Sequence, residues 1–226
     1  MRMAAVMNRF KLTGGIVMNQ NRRKFLFSFG FALILLLCTA CARTQETSER
    51  SIFQEFTRTS DSLKIQSLNA GMDVDAALSA LGLTREDCKS TESKALPGTV
   101  VYRPLTGYTF SEFDPYITDI QLYFNDAGLY TVSYNVAFWD TEFADAFALA
   151  ENAYQKIDEY LDAQGYTFGS SLEELAKGDL LDQAFTKCWK IGEQNIEFTL
   201  AHQDWSDARV QTDNETVVSL QLNIPL

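Results

Sequence analysis

The strict alternation between Asp119 and Val136 is what most constrains the fold of this chain. Ile120, Leu122 and Phe124 are spaced by Gln121 and Tyr123; beyond Asn125-Asp126-Ala127-Gly128, the residues Tyr130, Val132, Tyr134 and Val136 are spaced by Thr131, Ser133 and Asn135. Successive side chains of a strand point to opposite faces, so a period of two marks strands with one apolar face. The intervening segment supplies a turn in which Gly128 is free to take positive φ, and the stretch reads as a β-hairpin.

The same period returns near the C-terminus, where Val218, Leu220, Leu222 and Ile224 face one way and Val217, Ser219, Gln221 and Asn223 the other. Thr99–Tyr102, Phe185–Ile191 and Asn195–Ala201 read as further strands, whereas Tyr108–Pro115 is aromatic but broken. Between these lies a helical stripe of Phe143, Phe147, Ala150, Tyr154, Ile157 and Leu161, with Asp140 and Thr141 as N-caps and Gly165 as the stop. Such a stripe packs on the fold's own sheet more often than it forms a cofactor box or a partner-binding helix. Ser171–Lys177 reads as a further helical turn, and Ile52, Phe53 and Phe56 can pack a turn of helix within the ambiguous segment Ser51–Leu68.

Asp73 is a good N-cap for a helix with Val74, Ala77, Leu78 and Leu81 on one stripe and Gly82 as its stop. The segment Gly71-Met72-Asp73-Val74-Asp75-Ala76-Ala77-Leu78-Ser79-Ala80-Leu81-Gly82-Leu83 resembles the capping signature of small exported domains related to the BamE/SmpA lipoproteins and the β-lactamase-inhibitor protein fold. Asp73 and Asp75 stand where that signature prefers Thr and Glu. The resemblance bears on fold and not on activity. The expected class is α+β: an antiparallel sheet with helices packed on one face, in one globular domain over 51–226. A helix followed by three strands occurs twice, so two tandem units over 69–140 and 141–226 are an open alternative.

The segment before this domain carries an address. Arg22, Arg23 and Lys24 precede an uncharged run from Phe25 to Leu37, which is shorter than the roughly 20 residues that cross a bilayer. Leu37-Cys38-Thr39-Ala40-Cys41 then looks like the lipobox of bacterial lipoproteins, an aliphatic residue and two small ones before a cysteine. Cys38 departs from the pattern, holding the position where an aliphatic residue is usual. The resemblance implies that residues 18–40 are a signal peptide and that Cys41 carries acyl chains of the palmitate type. It also implies that residues 41–50 tether the domain to the extracytoplasmic face of the cell membrane. An uncleaved signal anchor is the alternative. Residues 1–17 fit no signal pattern and read as an extension upstream of a start at Met18. Cys38-Thr39-Ala40-Cys41 also has redox or metal spacing, but it ends a targeting run rather than opening a helix in a domain.

Charge then excludes one class of partner. Six of the 19 Lys and Arg precede Cys41 and no Asp or Glu does, so the 186 residues from Cys41 onward carry 13 basic and 30 acidic side chains, a net −17. Such a surface repels nucleic acid and anionic headgroups, leaving the lipid as the membrane attachment. Cys88 and Cys188 are a candidate disulfide, which an oxidising compartment permits.

No catalytic constellation is recognisable. His202 is the only histidine and shares a strand face with Phe198 and Leu200, which makes it a packing residue rather than a general base. One histidine and scattered cysteines do not make a zinc site. Asp204, Asp207, Asp213 and Glu215 gather in the acidic stretch Gln203–Glu215 but lack calcium-loop spacing. Neither a phosphate-binding nor a dinucleotide glycine motif is present. The expectation is a non-catalytic binding or envelope-associated lipoprotein without cofactor or metal, with a protein or envelope component as partner. A carboxylate-based hydrolase is one alternative; a small-ligand or ion carrier, with Tyr102–Tyr116 as a pocket wall, is another.

Overall fold

A computed structural model describes residues 50–139, 141–179, 181–204 and 216–226. The chain enters through a 3-10 turn, Ile52–Glu55, whose N–H at Phe53 is accepted by the Ser51 hydroxyl, and continues into β1 (Phe56–Arg58) and β2 (Leu63–Ile65). There follow α1 (Val74–Ala80), a 3-10 turn at Arg85–Asp87, β3 (Cys88–Glu92), β4 (Val100–Pro104), β5 (Tyr108–Thr109), β6 (Ile117–Asn125) and β7 (Gly128–Phe138). The second half comprises α2 (Phe143–Leu161), β8 (Gly165–Gly169), α3 (Leu172–Leu175), β9 (Gln183–Ile191), β10 (Gln194–Asp204) and β11 (Thr216–Pro225).

Among the described residues β3 to β11 form one nine-stranded sheet in the order β3-β4-β6-β7-β11-β10-β9-β8, with β5 beside β6; β1 and β2 pair separately. Every pairing is antiparallel. Among the described residues antiparallel sheet dominates and three α-helices accompany it, in keeping with an α+β class. Each half runs helix, then strands that meet their neighbours in sequence, and the halves join where β7 pairs with β11.

Local chemistry explains several elements. Asp73 caps α1 by accepting the Ala76 N–H at 2.8 Å, while Ala77 and Leu78 are buried and Gly82 follows with φ +73°. Ser171 and Glu174 form a reciprocal capping box that starts α3. Gly128 takes φ +104°, and a Cβ there would approach the Gly71 carbonyl to 2.6 Å. The turn therefore sits tight against Gly71 and Met72, which exchange backbone hydrogen bonds with Leu129 at 2.8 Å each.

The core lies against one side of the sheet. Ile120, Leu122, Val132, Tyr134, Val136, Leu220, Leu222, Ile224, Ile196, Phe198 and Leu200 are all buried there. The α2 helix buries Ala146, Phe147, Ala150, Ala153, Ile157 and Leu161, and the ring of Tyr154 meets Phe185, Phe198 and Trp189 at 5.1–6.2 Å. Full burial of each large aliphatic or aromatic side chain contributes about 1.5–3 kcal/mol. The Trp189 indole N–H donates to Asp158 at 2.6 Å, satisfying the one polar atom of a fully buried ring.

The structure corrects several expectations. The first half contributes five strands to the sheet and the second four, rather than three each: β3 and β8 were hidden in polar or glycine-bounded segments, and the two-residue β5 lies in the broken aromatic stretch. Cys88 opens the first of these edge strands, β3. A register shift between Tyr123 and Phe124 puts Leu129 inside and turns Tyr130 out against Tyr123. The α2 helix starts after Glu142 rather than being capped by Thr141, and Asp162 in the left-handed region ends it; Gly165 instead opens β8. Asp140 lies outside the described residues. The cysteine pairing also fails. Cys88 and Cys188 are free thiols on β3 and β9, six strand positions apart, or roughly 29 Å at about 4.8 Å per strand, whereas a disulfide tolerates about 7 Å between Cα atoms.

Candidate binding face

The polar half of the alternation assembles a second surface on the other side of the same sheet. The register brings Arg103 of β4 and Asp119 and Gln121 of β6 beside Ser133 and Asn135 of β7. Ser219 and Gln221 of β11 follow, then Thr199 and Gln203 of β10. All of these except the fully buried Ser133, which lies beneath, form the floor of a groove of about 830 Å³, and Pro115, Tyr116, Ile117 and Trp139 make an apolar and aromatic wall beside it. Ile117 is 63% exposed, so this wall offers a contact surface to solvent. Tyr116 is held by a hydrogen bond between its hydroxyl and that of Thr141.

The floor is internally wired. Arg103 Nε contacts Asp119 Oδ2 at 2.8 Å, and Gln121 donates to the same oxygen at 3.2 Å while accepting from Tyr123 at 2.9 Å. Asn135 donates to the Asp119 carbonyl at 3.3 Å and to Ser133 Oγ at 3.1 Å, and Gln221 donates to Ser133 Oγ at 3.0 Å. Ser219 donates to Gln203 at 3.2 Å. Burial pushes the Asp119 carboxyl above the usual carboxylate range, outweighing the opposing pull of Gln121 and Arg103. Asn135 gives both amide hydrogens to this network and Gln221 gives one, which orients the two carboxamides. Apart from the Arg103–Asp119 pair, the groove side chains among the described residues are uncharged.

Compared with known proteins, the chain matches no family model, no curated protein and no solved structure. The functional reading therefore rests on the residues themselves.

The residues singled out in the sequence are placed elsewhere. Cys41 and the apolar run before it lie outside the described residues, as do Asp207, Asp213 and Glu215 and the side chain of Asp204. No described helix is long and apolar enough to cross a membrane, and no metal-holding group of His, Cys, Asp or Glu occurs among the described residues. His202 is 5% exposed on the core side, its ring 4.5 Å from that of Phe143, and neither imidazole nitrogen has a hydrogen-bond partner among the described residues. Burial lowers its pKa against the opposing influence of Asp182. The aromatic stretch expected as a pocket wall goes largely to the core: Phe110 and Phe113 are buried and Tyr102 packs edge-on against Phe124 at 5.5 Å, leaving Tyr116 to border the groove. A separate cavity of about 540 Å³ lies by Leu63, Leu68, Ala70, Gln194 and Leu226.

Proposed function

We propose that this chain is a non-catalytic lipoprotein, anchored through Cys41 on the extracytoplasmic face of the membrane, that binds a neutral glycan of the cell envelope on the open polar face of its sheet. In this reading α1, α2 and α3 cover one face of the sheet and leave the other to the ligand. The observation that carries it is the groove floor, with ordered carboxamides and hydroxyls beside a Pro-Tyr-Ile-Trp wall. Polar groups that fix orientation next to apolar surface suit a ligand bearing both hydroxyls and C–H faces. Among the described groove residues the internally compensated Arg–Asp pair gives an ionic ligand no unpaired charge to seek, and the net −17 of the chain after Cys41 disfavours polyanions. A carboxylate-pair hydrolase is less well supported, because Asp119 is the one acid lining the described part of the groove and it is bound to Arg103.

The cavity beside Leu63, Leu68, Ala70 and Leu226 favours a second reading, a carrier of a small apolar ligand. Titration with N-acetylglucosamine and glucose tetramers, followed by tryptophan emission and calorimetry, tests the first. Saturable binding that falls at least fivefold in Asn135→Ala/Gln221→Ala supports it; no binding of either tetramer contradicts it. Replacing Cys41 by Ala should move the chain from the membrane to the soluble fraction without loss of fold, and retention in the membrane would refute the anchor.

A further inference from the structure

The β8 strand stands at the end of the sheet, paired with β9 on one side and with no strand on the other among the described residues. All five of its residues are exposed, with Tyr166 61% and Phe168 49% accessible. It lacks the charges, proline or bulge by which open edges usually discourage pairing. Its opposite number at the far edge, β3, carries Lys89 and Glu92.

The register shows what the open edge presents. Lys190 N–H donates to the Gln164 carbonyl and Ser170 N–H to the Ala184 carbonyl, so residues 164, 166, 168 and 170 direct their backbone groups toward β9. Gly165, Thr167 and Gly169 therefore direct theirs outward. The sequence Gly165-Tyr166-Thr167-Phe168-Gly169 reads nearly the same in both directions about Thr167. Gly165 and Gly169 are also needed locally, because a Cβ at either would collide with the carbonyl of Cys188 or Ala184.

We infer that β8 pairs with β8 of a second copy of this chain, antiparallel and centred on Thr167, joining two sheets into one. A two-fold axis at Thr167 sets Thr167 opposite Thr167 as a hydrogen-bonded pair, with Gly165 next to Gly169, whose φ of +81° departs from regular strand, so the central pair sets the register. Tyr166 then faces the partner's Phe168 in a non-bonded pair, where side chains approach most closely. The two aromatic pairs fall on one face of the joined sheet. The occupant is a second copy because the strand complements itself in bond direction, side-chain type and absence of charge. A strand from another protein would have no reason to share this centre.

Cross-linking in intact cells tests the register. In the full chain with all four native cysteines, Cys38, Cys41, Cys88 and Cys188, changed to serine, Thr167→Cys should give a band of twice the mass under mild oxidation, since bonded partners lie about 5.5 Å apart. Tyr166→Cys alone should not, because its symmetry mate is offset by two residues, roughly 8 Å away. Co-production of the Tyr166→Cys and Phe168→Cys chains should restore the band. Phe168→Lys in the otherwise native chain should halve the mass measured by light scattering. Absence of the Thr167→Cys band, equal cross-linking at 166 and 167, or a product of unequal mass would each overturn the inference.

Discussion

Gln194 offers a stringent test of how the small β1–β2 hairpin is fixed to the sheet. Its side-chain oxygen accepts the Leu63 N–H at 2.7 Å, and its amide donates to the carbonyls of Leu63 at 3.1 Å and Pro225 at 2.7 Å. That pattern of one acceptor and two donors permits only one orientation of the carboxamide. Gln194→Ala removes three hydrogen bonds worth about 1 kcal/mol each, partly replaced by water from the adjoining cavity of about 540 Å³. The expected loss is about 1.5–2.5 kcal/mol in urea unfolding followed by tryptophan emission. Gln194→Glu is the sharper variant. It keeps the acceptor for Leu63 N–H but turns a carboxylate oxygen toward two carbonyls, so at pH 7.5 it should cost about 1 kcal/mol more than the alanine. That environment raises the new carboxyl's pKa in the folded state. The fold then binds a proton the unfolded chain releases, so the extra cost shrinks as pH falls through the folded value. A loss below about 0.5 kcal/mol for alanine, or identical behaviour of the two variants at pH 7.5 and 4.5, would refute this reasoning.

Thr118 is fully buried with an unpartnered hydroxyl among the described residues, so Thr118→Val should stabilise by about 1 kcal/mol, read as a raised urea midpoint at unchanged slope. His202 has its pKa lowered in the fold by burial, so the unfolded chain takes up the proton first and stability falls as pH drops below about 6.5. His202→Phe should remove that part of the decline, compared by thermal melts at pH 7.5 and 5.5; an unchanged difference in Tm would contradict it. Gln221→Ala should change stability by less than about 1 kcal/mol while weakening glycan binding, because its amide sits on the half-buried face and not in the core.

The dry face of the sheet was legible in the sequence because apolar period two is imposed by the core itself. Ile120, Leu122, Val132, Tyr134, Val136, Leu220 and Leu222 all turned inward as their spacing required. The α2 stripe was equally readable, although Ala146 and Ala153, too small to stand out, are more deeply buried than Phe143 and Tyr154. The edge strands were not legible. Edges bury little, so Cys-Lys-Ser-Thr-Glu carries no apolar alternation and Gly-Tyr-Thr-Phe-Gly only a single exposed Tyr–Phe step between glycines, and their identity comes from the neighbour that pairs with them. The bulge that turns Tyr130 outward was invisible for a related reason: one extra residue resets the phase without altering the composition. The groove was half visible. Gln121, Ser133, Asn135, Ser219 and Gln221 were plainly the outward set, but adjacency across five strands is a matter of register. Arg103 and Trp139 had no signal pointing to that face at all.

Backbone amide shifts during titration with the N-acetylglucosamine tetramer test the central claim most directly. The account predicts saturable changes centred on Gln121, Asn135, Thr199 and Gln221, spanning β6, β7, β10 and β11 on the polar side. Changes confined to Leu63, Leu68, Ala70 and Leu226, or none at saturating ligand, would contradict it.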